Sequence, residues 1–499
     1  MRGEFMSAYE KLESRFDDIY HLTHLQAIGD WDEAVMMPVG SGVARAKGLS
    51  TLQSHIHNML IANEVGELIE QAKEQAELTH WQKKNLILIE KKHLNATLLP
   101  TSLVKSLTEA NIRCEQQWRI CRAENDWKGF LPYMENSFSL LKESTQIRSQ
   151  YWGLSSYDVL LDDYVPGFSQ ATIDPLFSKL EAVLPGLITQ IMDRQEKNSI
   201  KPQVGKFDIA QQQQLSCYVM KLLGFDFTRG RLDVTHHPFC GGVAEDVRVT
   251  TRYDESDFVS SLMAVCHETG HAVYEQGLPE RWLSQPVGHA LGMAIHESQS
   301  LFVEMQLCRS KAFISYMMPQ LKSFFPEQRL LNENDLYALV TAVKPGLIRV
   351  DADEATYPLH VILRYNIEKK LFNEELTISE LPECWDHYMQ QYLGLSTLGN
   401  DGDGVLQDVH WPSGAYGYFP SYTLGRMFAA QMYQSMLVDI PDTDNHISTG
   451  DFFSIIHWLR EHIHSKASSL ESDDLIKKVT GKELAVDDFL QHLHTRYLG

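Results

Sequence analysis

The sequence has few cysteines, no long apolar run and a deficit of positive charge. Its seven cysteines among 499 residues form no C-x-x-C pair, which excludes a disulfide framework and indicates a reducing compartment. No stretch approaches the roughly 18 consecutive apolar residues of a membrane helix. The 44 basic and 66 acidic residues give a net charge of −22, which argues against general affinity for nucleic acids or anionic membranes.

The N-terminus lacks the apolar core of a secretion signal, because MRGEFMSAYEKLESRF passes directly into an amphipathic helical pattern. The letters EF before a second methionine resemble a cloning junction, so we expect residues 1–5 to be vector-derived. The native chain then begins at Met6. We expect residues 6–499 to form a single domain located in the cytoplasm.

Internal repeats, low-complexity tracts and long glycine–serine linkers are also missing, which favours one large body over separate units. Apolar residues recur at intervals of three and four nearly throughout, as in LHVILRYNIEKKLFNEEL, and this spacing predicts a mainly α fold. In TIDPLFSKLEAVL, Asp174 suits an N-cap and Pro175 a first helical position, so a helix is predicted to begin there.

One segment, Gly230 to Glu255, departs from the helical spacing. Its glycines are followed by the alternating pattern DVRVTTRY, which predicts a short strand in a β-hairpin. Because the segment directly precedes a pair of histidines, we expect the hairpin to border a functional cleft. An incidental surface hairpin is the alternative. The strand from Val247 to Thr251 is also a candidate for pairing with an extended peptide.

The stretch AVCHETGHAVYEQGLP contains an H-E-x-x-H motif. Residues four apart share one helix face, so His267 and His271 can present ring nitrogens to one ion. Glu268 is turned about 100° away and can reach an activated water without binding the ion. Gly270 costs about 1 kcal/mol relative to alanine inside a helix, which indicates close packing at that position. With 21 histidines in the chain, a chance match is the alternative interpretation.

A third ligand distinguishes a catalytic zinc site from a chance motif, since such sites keep three protein ligands and one open position. Glu297 lies 26 residues after His271, at the centre of the helical pattern GHALGMAIHESQSLFVE. This interval leaves room for a loop and one helix, so Glu297 is the predicted third ligand. A solvated glutamate on a helix face and competition from His296 are the alternatives.

Several further blocks occur together with the H-E-x-x-H motif. They are HPF (237–239), DVRVT (246–250), HESQS (296–300), IRVDADEATY (348–357) and GVLQDVHW (404–411). In this order they resemble the signature blocks of the carboxypeptidase Taq family of metallocarboxypeptidases. The resemblance implies a cytosolic enzyme that removes single C-terminal residues from peptides with broad specificity. It also implies a homodimer and a long active-site cleft between two helical halves. The sequence order itself favours a hairpin beside the H-E-x-x-H helix.

The residues themselves suggest how such chemistry would be divided. One divalent ion per chain is expected on the two histidines and Glu297. Zinc is favoured, and cobalt or manganese is compatible with imidazole and carboxylate ligands. Glu268 would act as general base. In HWPSGAYGYFPSY, His410 and Tyr422 are candidates for stabilising the oxyanion, and Tyr418 for binding substrate. Aromatic core packing is the alternative for each tyrosine.

A carboxypeptidase must also recognise a free C-terminal carboxylate, which a guanidinium matches best. Arg248 is expected to share a strand face with Asp246 and to be neutralised by it. Arg349 follows a helix-ending Pro-Gly pair and is predicted to lie on a loop that is free to project into the cleft. Arg349 is therefore the favoured clamp, with Arg248 second. His237 is a further candidate for substrate binding, with a structural role as its alternative.

Two other functions fit parts of this pattern. A helical zinc oligoendopeptidase shares the metal chemistry and differs only in how it treats the C-terminus of a peptide. A non-catalytic peptide-binding scaffold is the more distant alternative, and the intact Glu268 counts against it. In each case the expected partners are peptides, with no nucleic acid and no membrane.

Overall fold

The computed structural model describes residues 6–197, 200–235 and 238–499. Within these ranges the chain is mainly helical, which confirms the predicted fold class. The helices are α1 Ala8–Val35, α2 Gly42–Ile61, α3 Asn63–Lys73, α4 His80–Thr97, α5 Thr101–Glu124, α6 Trp127–Trp152, α7 Ser156–Tyr164, α8 Gln170–Glu196, α9 Ile209–Leu222, α10 Phe258–Gln276, α11 Gly292–Leu301, α12 Lys311–Phe324, α13 Glu333–Val340, α14 Tyr357–Phe372, α15 Leu381–Leu393, α16 Pro420–Asp439, α17 Thr443–Thr449, α18 Phe453–His462, α19 Ser472–Thr480 and α20 Asp487–Leu498. The strands are β1 Gly230–Val234, β2 Cys240–Val243 and β3 Asp246–Thr251.

Side-chain caps define where several helices begin. The Ser7 hydroxyl accepts a hydrogen bond from the Glu10 amide at the start of α1, and the Glu10 carboxylate accepts one from the Ser7 amide. The start predicted at Asp174 for α8 is wrong, because Ser169 is the N-cap of that helix. Asp174 instead accepts hydrogen bonds from Tyr365 (2.8 Å) and the Lys369 ammonium (2.5 Å) on α14. A tertiary contact therefore uses a residue whose local sequence is typical of a cap.

The strands form one sheet in the order β1–β3–β2. β2 and β3 pair antiparallel with Cys240 opposite Val249, which confirms the predicted hairpin. The sheet also contains β1, which pairs parallel with β3 from Gly230 to Val234. Because β3 is bonded on both edges, it offers no free edge to a peptide, and the predicted strand addition at β3 is wrong.

Two apolar clusters stabilise the described fold. The larger extends from Tyr20 to Tyr497 and draws on helices from α1 to α20. A smaller cluster joins α1, α3 and α4 through residues such as Leu12, Val65 and Ile89. Helices long and apolar enough to span a membrane are not found among the described residues.

α10 carries the H-E-x-x-H motif through this core. Asp257 caps its first turn by accepting from the Ser260 amide at 3.0 Å, and the helix ends at Gly277. A Cβ atom at Gly270 would lie 2.5 Å from Cα of Ser300 and 2.6 Å from the Gln299 carbonyl oxygen. Glycine therefore allows α10 and α11 to approach closely, which explains the helix-interior glycine seen in the sequence.

Candidate metal centre and active site

α10 and α11 bring the three predicted metal ligands together. One ligand atom from each of His267, His271 and Glu297 lies within 4.8 Å of the others. Oε2 of Glu297 is 3.4 Å from Nε2 of His271 and 3.8 Å from Nε2 of His267. A tetrahedral ion with bonds near 2.0 Å separates its ligand atoms by about 3.3 Å, so small side-chain shifts would let the cluster hold a zinc-like divalent cation.

Helix α16 packs directly against the metal-ligand carboxylate. Glu297 is buried, and a Cβ atom at Gly425 of α16 would lie 3.0 Å from its Cβ and Cγ atoms. Glycine at position 425 thus lets α16 lie directly against the ligand. This contact also places Tyr422, one helical turn earlier in α16, on the side of the site.

The buried Glu304 carboxylate contacts His267 on the side opposite the ligand cluster. Oε2 of Glu304 lies 3.0 Å from Nδ1 of His267, which leaves Nε2 directed at the ligand cluster. Arg309 donates to the other oxygen of Glu304 at 2.8 Å and 3.0 Å. The sequence reasoning missed Glu304. Its place seven residues after Glu297, two helical turns later, is the signal that could have found it.

His296 supports His271 in a similar way. The two Nδ1 atoms lie 2.6 Å apart, and Nε2 of His296 lies 2.8 Å from Oε1 of Glu275. His296 therefore contacts the outer side of a metal-ligand ring and is not part of the described ligand cluster. Such partners fix the orientation of ligand histidines and their basicity.

Burial and neighbouring charges shift the pKa values of the central groups in different directions. Burial opposes protonation of His267, but the carboxylates of Glu297 and Glu304 outweigh it and raise its pKa to about 9. Burial lowers the pKa of His271 to about 4. Burial also raises the pKa of Glu268 to about 7, and the Glu297 charge adds to this rise while His267 opposes it. Glu268 is thus poised between its acid and base forms near neutral pH.

Glu268 differs from the surrounding carboxylates in its contacts. Within the described part of the chain its carboxylate receives no hydrogen bond and forms no ion pair, although it stands on the same helix as both histidines. It is partly exposed, whereas Glu297 and Glu304 are buried. The free carboxylate is available to a water molecule or a substrate.

Aromatic and imidazole groups from the segment before α16 form one side of the site. Nε2 of His410 lies 3.1 Å from the Tyr422 hydroxyl, and the rings of Tyr418 and Tyr422 are 5.3 Å apart. Burial and the charge of Glu297 raise the pKa of Tyr418. Burial lowers the pKa of His410 to about 3, so it is neutral at pH 7. The structure therefore places these three predicted residues side by side.

Arg349 is not the free loop cation that the sequence predicts. It lies in a short 3-10 turn, Arg349–Asp351, and is 5% exposed. Its Nε and Nη2 atoms donate to one oxygen of Asp408 at 3.0 Å and 2.7 Å, and Nη1 donates to Tyr357. Arg364 donates to the other oxygen of Asp408 at 2.7 Å. Two guanidiniums thus share one carboxylate, which leaves one net positive charge beside Tyr422.

Arg248 is also already paired, as the strand geometry predicts. Its Nη2 atom donates to Asp246 at 2.7 Å, and its guanidinium lies 4.3 Å from the ring centre of Trp31. His24 contacts the same carboxylate at 3.2 Å. The candidate His237 and residues 1–5 lie outside the described residues. Next to His237, the Phe239 carbonyl accepts from the Thr250 amide at 2.8 Å, which joins this segment to the sheet.

Another buried glutamate supports the segment that carries His410. Glu368 of α14 accepts hydrogen bonds from Trp411 at 2.7 Å, Tyr157 at 2.6 Å and the Gly417 amide at 3.0 Å. Burial raises its pKa to about 7, against the effect of these donors. Two of these bonds tie Trp411 and Gly417, both within the His410–Tyr418 stretch, to α14.

Known proteins share this architecture over the whole chain. Residues 11–497 match the family described as carboxypeptidase Taq (M32) metallopeptidase. Carboxypeptidase 1 of Bacillus subtilis is 36% identical over 485 residues and covers 96% of each chain. Thermostable carboxypeptidase 1 of Thermus thermophilus is 32% identical, with 98% of each chain covered. The solved structure of Trypanosoma cruzi metallocarboxypeptidase 1 superposes with a TM-score of 0.97 at 38% identity, with 99% of each chain covered. The chain therefore belongs to the carboxypeptidase Taq (M32) family of metallopeptidases and is a metallocarboxypeptidase.

Proposed function

We propose that this enzyme releases single amino acids from the C-termini of peptides with broad specificity, with Glu268 as general base. One observation carries the proposal: His267, His271 and Glu297 converge within 4.8 Å, with the unpaired Glu268 beside them. The family resemblance also supports a homodimer in the cytoplasm. Sedimentation velocity and cell fractionation test those two points.

The three converging side chains would hold one divalent ion. Zinc fits best, and cobalt and manganese accept the same donors. A bound ion would acidify a coordinated water and polarise the scissile carbonyl. Glu268 accepts the proton of the attacking water and then gives it to the leaving amine. Burial raises the pKa of Glu268 above its usual range, which makes its carboxylate a better proton acceptor than an exposed one.

Tyr422 and His410 supply hydrogen bonds at the side of the cluster. Burial raises the pKa of Tyr422 well above its usual range, so the phenol keeps its proton. It can therefore donate a hydrogen bond to a developing oxyanion. His410 contacts the same hydroxyl and orients it. Tyr418 packs against both rings and would line the path of the peptide.

Recognition of the C-terminal carboxylate is assigned to Arg349 together with its neighbours, and not to Arg349 alone. Asp408 occupies two of the three nitrogens of Arg349, so the arginine does not act as an isolated clamp. The cluster of Arg349, Arg364 and Asp408 instead provides one fixed positive charge in a buried setting, where charges act strongly. Arg248 remains the second candidate. Its Nε and Nη2 atoms donate to Asp246, and its Nη1 atom is left to bind a substrate beside Trp31.

One time-course experiment tests the proposal. The metal-loaded enzyme is incubated with one long peptide, and products are followed by mass spectrometry. We expect a ladder of fragments, each shorter by one C-terminal residue, with free amino acids accumulating in the same order. Early release of internal fragments would instead support the oligoendopeptidase alternative. Absence of any cleavage with full metal loading would support the peptide-binding scaffold.

A further inference from the structure

A basic cavity lies at the C-terminal end of α10. It has a volume of about 720 Å³, and Gly277, the residue that ends α10, forms part of its wall. Arg460 of α18, Lys466 of the 3-10 turn His464–Lys466 and Lys478 of α19 also line it. These residues belong to the part of the chain after Asp439, for which the peptidase chemistry provides no role.

The three cations make no ion pair with a carboxylate among the described residues. Within the described ranges, the charged groups of Arg460, Lys466 and Lys478 donate no hydrogen bond, and Nε of Arg460 is buried without an acceptor. Burial and the neighbouring charge of Lys478 lower the pKa of Lys466, and the charge of Glu461 opposes them only in part. The acidic residue in the wall, Glu461, lies 3.4 Å from His457. Unpaired like charges gathered at one cavity repel each other unless an anion joins them.

The backbone beside Lys466 is held in a strained conformation. Ala467 has φ 44° and ψ −135°, which a residue with a Cβ atom rarely adopts, and it is fully buried. Its neighbour Ser468 anchors this loop on the segment between α10 and α11, because its amide donates to the Val287 carbonyl at 3.0 Å and its hydroxyl to the His289 carbonyl at 2.9 Å. Such strain persists where surrounding contacts impose it, and it occurs often at ligand sites.

The same turn is joined to the metal-binding helices. Nε2 of His464 lies 3.2 Å from Oε1 of Gln299 on α11, and its ring centre is 5.1 Å from that of Tyr274 on α10. The turn that carries Lys466 is therefore held against α10 and α11. A cavity whose walls are fixed in this way requires little reorganisation to bind a ligand.

We propose that this cavity binds an oligophosphate chain, either free or as part of a nucleotide. Two lysines and one arginine from three separate elements surround a space far larger than one phosphate group. Lysine ammoniums suit tetrahedral phosphate oxygens as point charges, and the arginine adds a fork of donors. The three cations and the Glu461 carboxylate together give the wall a net charge of +2 (3 − 1), which suits a phosphate chain better than a single carboxylate. The site is independent of the peptidase reaction proposed above.

Calorimetric titration of the metal-loaded enzyme with inorganic tripolyphosphate and with ATP tests the site. We expect both to bind, and Lys466→Gln and Lys478→Gln each to weaken binding about tenfold, as for loss of one charge-assisted hydrogen bond. Lys322→Gln is the matched control, because Lys322 is exposed on α12 and does not line the cavity. Phosphate chains also bind metal ions directly, and binding of that kind would be equal in all four proteins.

Each outcome has a definite meaning. Equal affinities for tripolyphosphate and ATP identify the phosphate chain as the ligand, and tighter binding of ATP shows that the nucleoside contributes as well. Identical affinities of the two cavity variants and the Lys322→Gln control would overturn the site. So would a lack of binding at millimolar concentration, or binding of tetraglutamate in place of tripolyphosphate.

Discussion

Glu304 holds His267 on the side opposite the ligand cluster, with 3.0 Å between Oε2 and Nδ1. Arg309 in turn donates to the same carboxylate. Burial raises the pKa of Glu304, but Arg309 and His267 outweigh burial and lower it to about 2. The carboxylate therefore stays charged and fixes which ring nitrogen faces the ion. A permanent negative charge at this position also makes the imidazole a stronger electron donor.

Removal of that charge should weaken the metal site without removing a ligand. We expect Glu304→Gln to reduce metal affinity by roughly 10- to 100-fold, the range typical of such outer contacts. Metal competition with a chromogenic chelator measures this directly. Glu327→Gln, an exposed glutamate in a loop, is the control. Equal affinities of the two variants would show that Glu304 has only a structural role.

Loss of a ligand should have a more severe effect than loss of its support. We expect His267→Ala and His271→Ala each to abolish stoichiometric metal uptake together with activity, because two remaining donors hold a divalent ion poorly. Metal content by atomic emission after gel filtration is the measurement. Full occupancy in the double histidine variant would contradict the assigned ligands.

Glu268→Gln should separate metal binding from catalysis. The residue is not in the ligand cluster, so the variant should keep its metal while turnover falls by about 10²- to 10⁴-fold, the usual contribution of a general base. Glutamine has nearly the same shape but cannot accept the proton. Metal content and kcat are measured on the same preparation. A variant that loses its metal yet regains activity on reloading would require another base.

The sequence predicts the centre of this site well because local spacing determines it. His267 and His271 share a helix face by periodicity alone, and Glu297 follows in the next helix pattern. The environment of Arg349 could not be predicted in this way. Its partner Asp408 is 59 residues distant, and neither residue lies in an α-helix or a strand whose periodicity would reveal the contact. β1 was missed for a similar reason, because its pairing with β3 is parallel and is closed by no local turn.

The Arg349 cluster can be tested with substrates that differ only at the C-terminus. Wild type should cleave free-acid peptides much faster than their amides, because the amide removes the charge that the cluster attracts. Arg349→Ala leaves Asp408 with a single guanidinium, so the net positive charge is lost and the acid preference should fall together with kcat/KM. Arg119→Ala, an exposed arginine on α5 paired with Glu115, is the control. Equal cleavage of acid and amide by wild type would favour the endopeptidase.

A buried histidine beside this cluster should make the fold sensitive to acid. Burial and the charges of Arg364 and Arg349 lower the pKa of His360 to about 3, from an ordinary value near 6.5. Between these values only the unfolded chain binds the proton, so stability is lost as the pH falls below about 6.5. This one group should lower the free energy of unfolding by up to about 1.4 kcal/mol per pH unit. Urea unfolding at pH 7, 6 and 5 measures the slope, which His360→Leu should reduce by about one proton. An unchanged slope in that variant would show that His360 binds no additional proton on unfolding.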